Sequence, residues 1–168
     1  MSPRPQAAVN APSATAIPGI PAAMHRGEEE LPFVYFTDGV EFQLMQVDIE
    51  LGLWIVRTKF APGTTVQRHR HTGTVYAYTT RGAWRYLEYP EVNRPGSYLY
   101  EPAGSVHTLH ALGENTEPAD IFFAISGANL NLDDDGNVES VTDAGSVLRT
   151  YLQGCERAGL PRPNVIGA

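Results

Sequence analysis

The chain has 168 residues, 42% hydrophobic and 10% aromatic, enough for one domain with a sizeable core and short appendages. A net charge of -7 argues against a nucleic-acid partner, which needs a basic surface, and no apolar run is long enough to cross a bilayer. Cys155 is the only cysteine, so an internal disulfide and a zinc ribbon are both excluded, and a reducing, cytoplasmic setting fits.

Residues 1–30 are rich in Pro and Ala. They lack the continuous apolar core of a secretory signal, and their prolines block helix and sheet alike. They are expected as a flexible arm, free or laid over a neighbouring subunit. His25 lies in it and carries no assigned role. From 31 to 130 the pattern is β. FQLMQVDIEL and LWIVRTKF, separated by Gly52, are dense in β-branched and aromatic residues. VQRHRH, TVYAYTT, AWRYLEY, SYLYE, HTLHAL and DIFFAIS follow, with turn residues between them. Short strands at this spacing predict an all-β barrel or sandwich. The remainder, 131–168, is expected to complete the same domain. Asp133-Asp134-Asp135-Gly136 reads as a turn, because the spacing of a calcium loop is absent. From Asp143, a potential N-cap, Val147, Leu148, Tyr151, Leu152 and Cys155 recur at helical spacing up to Gly159. That helix is expected to pack against the β domain.

The chemistry concentrates in RHRHTGTVYAYTTRG, Arg68 to Gly82. Residues i and i+2 of a strand face the same side, so His69 and His71 project together and can hold one metal ion. A surface strand that happens to alternate histidines is the bland alternative. The context weighs against it. Gly63 precedes His69 by six positions, Gly82 follows the next strand, and GSYLYEPAGSVH places Pro102, Gly104 and His107 as PxGxxH. A third histidine after a tight turn could complete a facial set. His110 is expected at the surface or facing a partner.

Together these two stretches, Gly63 to Ala111, resemble the paired motifs of the cupin superfamily. The resemblance implies a small antiparallel jelly-roll barrel with a metal in its mouth, held by His69, His71 and His107. Many cupins place a Glu ligand four residues after the second histidine and an Asn four after the third. Here those positions are Val75 and Ala111.

A hairpin argument offers a replacement carboxylate. If Arg81-Gly82 is a two-residue turn, Val75 lies opposite Glu88. With Val75 inward, Trp84, Tyr86 and Glu88 also point in. Trp84 and Val75 would then line a substrate pocket, Glu88 would serve as a base, and Tyr86 could hydrogen-bond an oxygen intermediate. A one-residue slip puts Glu88 on the outer face instead, and leaves Trp84 and Tyr86 as ordinary barrel core. The outward set becomes Tyr76, Tyr78 and Arg85, with Arg68 and Arg70. Such a face suits a homodimer or homotetramer interface, or a solvated sheet face.

Three neutral imidazoles leave a divalent ion charged and several positions open. Imidazole suits iron, zinc, copper and nickel alike. A facial site with free positions can hold a bidentate organic ligand together with O2. The histidine positions, the Val at 75, the run WRYLEY, the NLDDDGN segment and the C-terminal helix resemble the 2,4'-dihydroxyacetophenone dioxygenase family of cupins. That resemblance implies an Fe(II) enzyme cleaving the C–C bond of an aromatic α-hydroxyketone to a carboxylic acid and formate. A dioxygenase or isomerase for another small chelating, diketone-like substrate on the same barrel, or a metal-binding sensor of anti-sigma type, is the competing expectation.

Overall fold

The computed structural model describes residue 20 and residues 22–168, so most of the expected arm lies outside the described residues. A short 3-10 turn (Glu28–Glu30) leads into twelve strands and one helix. In chain order they are β1 (Val34–Thr37), β2 (Val40–Asp48), β3 (Leu53–Phe60), β4 (His69–His71), β5 (Val75–Arg81) and β6 (Trp84–Tyr86). There follow β7 (Tyr98–Glu101), β8 (Val106–His107), β9 (Leu109–Ala111), β10 (Ala119–Ser126), β11 (Asn129–Leu132), β12 (Val138–Thr142) and α1 (Ala144–Arg157).

The strands form a six-stranded sheet, β1-β2-β3-β10-β5-β7, a four-stranded sheet, β12-β11-β4-β8, and the pair β6-β9. All ladders between named strands are antiparallel. This is the expected jelly-roll-like sandwich. Alternation drives it: on β5, Val75, Ala77 and Thr79 are buried while Tyr76 and Tyr78 are exposed. On β3, Trp54, Val56, Thr58 and Phe60 are buried, each separated by a partly exposed residue.

The expected hairpin between β5 and β6 does not form. β5 pairs with β10 on one side and β7 on the other, while β6 pairs with β9. The crossing happens at Gly82, whose φ is +66° and where a Cβ would lie 2.7 Å from the Ala119 Cα. Only glycine lets the chain turn there, hard against the start of β10, and leave the sheet.

The helix is as expected. Asp143 caps it, its carboxylate accepting from the Ser146 N–H at 2.7 Å. Val147, Tyr151 and Cys155 are buried. The Tyr151 ring lies 5.4 Å from Phe42 of β2, and its hydroxyl donates to the Pro32 carbonyl at 2.7 Å. The Asp133–Gly136 turn joins two strands, β11 and β12, that the sequence reading did not separate from the tail.

The N-terminal segment is fastened from Arg26 onward. Arg26 Nε donates to the Asn164 carbonyl at 2.7 Å, and the Lys59 ammonium sits 3.7 Å from the Phe33 ring centroid. Arg57 grips the buried Asp120 through two hydrogen bonds, 2.8 and 2.6 Å, and reaches Glu28 at 2.8 Å. Removing one partner of a buried pair leaves an uncompensated charge, although a quarter-exposed Arg57 regains part of its solvation. Asp120→Ala should therefore lower stability by about 2 kcal/mol. Urea denaturation checks this, and a midpoint equal to wild type would contradict it.

The tyrosine face has a different membership from the one expected. Tyr76 faces Tyr100 and Tyr78 faces Tyr98 across β5 and β7, and all four are exposed. Arg70 lies on β4 of the other sheet and Arg85 on β6, so neither shares that face.

Candidate metal centre

The two sequence motifs meet through the backbone. β4 pairs with β8, which sets His69 directly opposite His107. The Pro102–Ser105 turn is tied to β4: Gly104 N–H donates to the His71 carbonyl at 2.8 Å and His71 N–H to the Ser105 carbonyl at 3.1 Å. Gly104, at φ +87°, makes that turn possible.

All three imidazoles are buried, and one ligand nitrogen from each lies within 4.8 Å of the other two. The ring centroids stand 4.8 to 5.0 Å apart. His69 Nδ1 is 2.9 Å from the Gln67 carbonyl, a contact that puts its proton on Nδ1 and leaves the Nε2 lone pair for a metal. Burial pushes the His69 pKa down to about 4, against the opposing pull of that carbonyl, so the ring is neutral at pH 7.

A carboxylate is present after all, and it is Glu101. Val75 is paired across β5 and β7 with Glu101, so the acid absent from the strand after the histidines comes from the strand beside it. Glu101 Oε2 lies 2.9 Å from His71 Nε2 and 3.1 Å from His107 Nε2, which are 3.0 Å from each other. Adjacent ligands of an octahedral ion with bonds near 2.1 Å stand about 3 Å apart. Oε2 is buried and makes no hydrogen bond of sound geometry. A buried, orphaned carboxylate oxygen against two facing imidazole nitrogens fits a divalent cation at their centre. Burial opposes ionisation of Glu101, but the His107 and His71 contacts outweigh it and hold its pKa at about 2.

Glu101 Oε1 accepts the Tyr86 hydroxyl at 2.6 Å, and the Tyr86 ring stacks on His107 with centroids 3.8 Å apart. Burial, with the Glu101 charge added, raises the Tyr86 pKa well above its ordinary value, so the phenol stays a donor.

The other expected site residues lie elsewhere. Glu88 is exposed and outside the cavity lining; its carboxylate is taken up by the Thr108 N–H and hydroxyl, both at 2.8 Å. The expected opposition of Val75 and Glu88 fails because β6 joins β9 and not β5. Trp84 and Val75 are fully buried and do not line the cavity, and the Trp84 indole N–H donates to Thr79 at 2.9 Å. His110 lies 2.9 Å from the Thr65 hydroxyl, away from the cluster.

His69, His71, Tyr86 and Glu101 open onto a cavity of about 610 Å³ between the sheets. Phe42, Trp54, Phe60 and Phe123 form its apolar side. Asn129 and Asn131, which the sequence reading passed over, contribute to its polar side. Their signal was NLNL, the same alternate spacing as the histidines.

The comparisons with known proteins agree on the fold. A family model described as the ChrR cupin-like domain matches residues 23–124. A cupin-like protein of unknown function from Ralstonia eutropha JMP134 is 34% identical, with 77% of this chain and 81% of that chain covered, at TM-score 0.74. An RmlC-like cupin from the same organism is 30% identical, covering 82% and 90%, at TM-score 0.76. An acetylacetone dioxygenase from Acinetobacter johnsonii shares the fold at 17% identity, covering 80% and 93%, at TM-score 0.70. No curated protein sequence matches the chain.

Proposed function

The chain belongs to the ChrR cupin-like domain family, and from that premise we propose that it is a non-haem Fe(II) dioxygenase. Its reaction would cleave the C–C bond of an aromatic α-hydroxyketone, of the 2,4'-dihydroxyacetophenone kind, into a carboxylic acid and formate. The observation that carries this reading is the junction of a buried imidazole–carboxylate cluster with a cavity walled by aromatic side chains. An acetylacetone dioxygenase has the same fold.

Bound iron(II) would supply Lewis acidity toward two substrate oxygens and a path for electrons from the ionised substrate to O2. His69, His71 and His107 would hold it, with Glu101 Oε2 beside them. Three histidine donors would leave positions open for a chelating substrate and O2, with Glu101 standing beside the ion. Glu101 cancels one unit of charge, so the site stays cationic and favours a substrate that ionises on binding. Tyr86 O–H holds Glu101 in orientation through Oε1 and braces His107 from the side. Phe42, Trp54, Phe60 and Phe123 pack against the ring of the substrate and keep water from the reacting carbon.

The test is oxygen consumption. The protein is loaded with Fe(II) without air, mixed with 2,4'-dihydroxyacetophenone, and followed with an oxygen electrode. One O2 consumed per 4-hydroxybenzoate released is the expected result. No uptake with iron bound would remove the reaction. It would leave a metal-binding cupin of the sensor type, against which the size of the cavity weighs now.

A further inference from the structure

The cavity has two unlike walls. Toward the six-stranded sheet it is aromatic and aliphatic. Toward the four-stranded sheet it is amide and hydroxyl: Asn129 and Asn131 from β11, Ser140 and Thr142 from β12. The registers explain the placement. Asn129 is paired with His71 and Asn131 with His69, so both amides share the face of the metal-cluster histidines. Thr142 and Ser140 stand one strand further out, opposite the same two asparagines.

Within this wall the two amides differ. Asn131 Nδ2 is used, donating to Ser140 Oγ at 3.0 Å and Thr142 Oγ1 at 3.1 Å. The Asn129 side chain makes no hydrogen bond among the described residues, and its Oδ1 is buried without a partner. A buried unpaired amide is costly unless something else completes it. The Asn129 amide carries an acceptor and a donor that no described protein group takes up, so it can meet a group that donates, accepts or does both. A hydroxyl is such a group.

Charge narrows the ligand further. The described residues lining the cavity include no Lys or Arg, and the acids among them are Asp38 and Glu101. Apart from the metal itself, a carboxylate or phosphate carried on the substrate's ring would find no fixed cation in the wall to receive it.

We propose that Asn129 is a specificity-determining residue, reading a second, uncharged hydroxyl on an aromatic substrate whose ring lies on the aromatic wall. This deepens the proposed function and rests on its reading of the cavity as the substrate site. The substrate class is then a neutral hydroxyaryl ketone, and aryl ketones bearing a carboxylate are excluded.

The subsite can be tested without turnover. The protein is loaded with Zn(II), which is redox-inert, and titrated by calorimetry with acetophenone, its 3- and 4-hydroxy isomers, whose hydroxyls cannot chelate the metal with the carbonyl, and 4-carboxyacetophenone. At least one hydroxy isomer should bind about 10-fold or more tightly than acetophenone, since a site built for a hydroxyl discriminates against its absence. The carboxylate should bind more weakly than acetophenone. In Asn129→Leu, close in volume, the preference should fall to about one while acetophenone affinity holds. Equal wild-type affinities, a preferred carboxylate, or an unchanged preference in Asn129→Leu would each overturn the proposal. The wild-type ratio needs no variant, so a misfolded Asn129→Leu protein does not blunt the test. Absent oxygen uptake beside an intact hydroxyl preference would sink the reaction and leave this subsite standing.

Discussion

His71→Ala, reconstituted with divalent metal and dialysed, should retain under a tenth of the wild-type metal. Its Nε2 stands 3.0 Å from His107 Nε2 and 2.9 Å from Glu101 Oε2, at the centre of the cluster. A four-ligand metal site is worth roughly 10–16 kcal/mol, so one ligand carries on the order of 3 kcal/mol, or about 10²-fold in affinity. His69→Ala and His107→Ala should behave alike, because each removes one of three mutually close nitrogens. Inductively coupled plasma mass spectrometry after equilibrium dialysis reads the outcome. Circular dichroism shows whether the sandwich persists, as it should, since the metal face is one end of a core that extends well beyond it. Stoichiometric metal in all three variants would refute the assignment of the cluster.

Glu101→Gln should be the second severe substitution. The amide keeps the volume and an acceptor for the Tyr86 hydroxyl, but loses the charge. It would also present a donor or a weak ligand to two imidazole nitrogens 2.9 and 3.1 Å away. Metal affinity should fall about 10- to 100-fold, the effect seen when groups that tune a metal site are altered. Turnover at saturating iron should fall by about 10² or more if the carboxylate also serves the proton movements of the reaction. Glu88→Gln is the matched control. Glu88 is exposed and engaged with Thr108, so iron content and turnover should not change. Wild-type metal affinity and rate in Glu101→Gln, or losses confined to Glu88→Gln, would reverse the two roles.

The contrast between Glu88 and Glu101 shows what was legible in the chain. The histidine pair, the PxGxxH turn and the capped helix are local patterns, and each was placed within a few residues. The carboxylate depends on which strands are neighbours, which local pattern does not encode. Sequence adjacency suggested that β5 and β6 pair. The sheets instead set β5 between β10 and β7, because the chain leaves that sheet at Gly82 for the β6-β9 pair. Glu101 was further concealed by an inverted burial pattern. On β7 the tyrosines at 98 and 100 face solvent and the glutamate is buried, opposite to the usual apolar-in, polar-out reading. β11 and β12 were hidden for a related reason. NLNL turns its asparagines toward a cavity, and VESVT is almost wholly exposed, so neither carries the hydrophobic alternation by which strands are recognised.

In the proposed reaction this cluster directs O2 across a C–C bond. The most direct measurement is to run the Fe(II)-loaded protein on 2,4'-dihydroxyacetophenone under ¹⁸O2 and weigh both products by mass spectrometry. One labelled oxygen in 4-hydroxybenzoate and one in formate is the expected result. Products formed without label, or label confined to water, would show that the cavity does different chemistry.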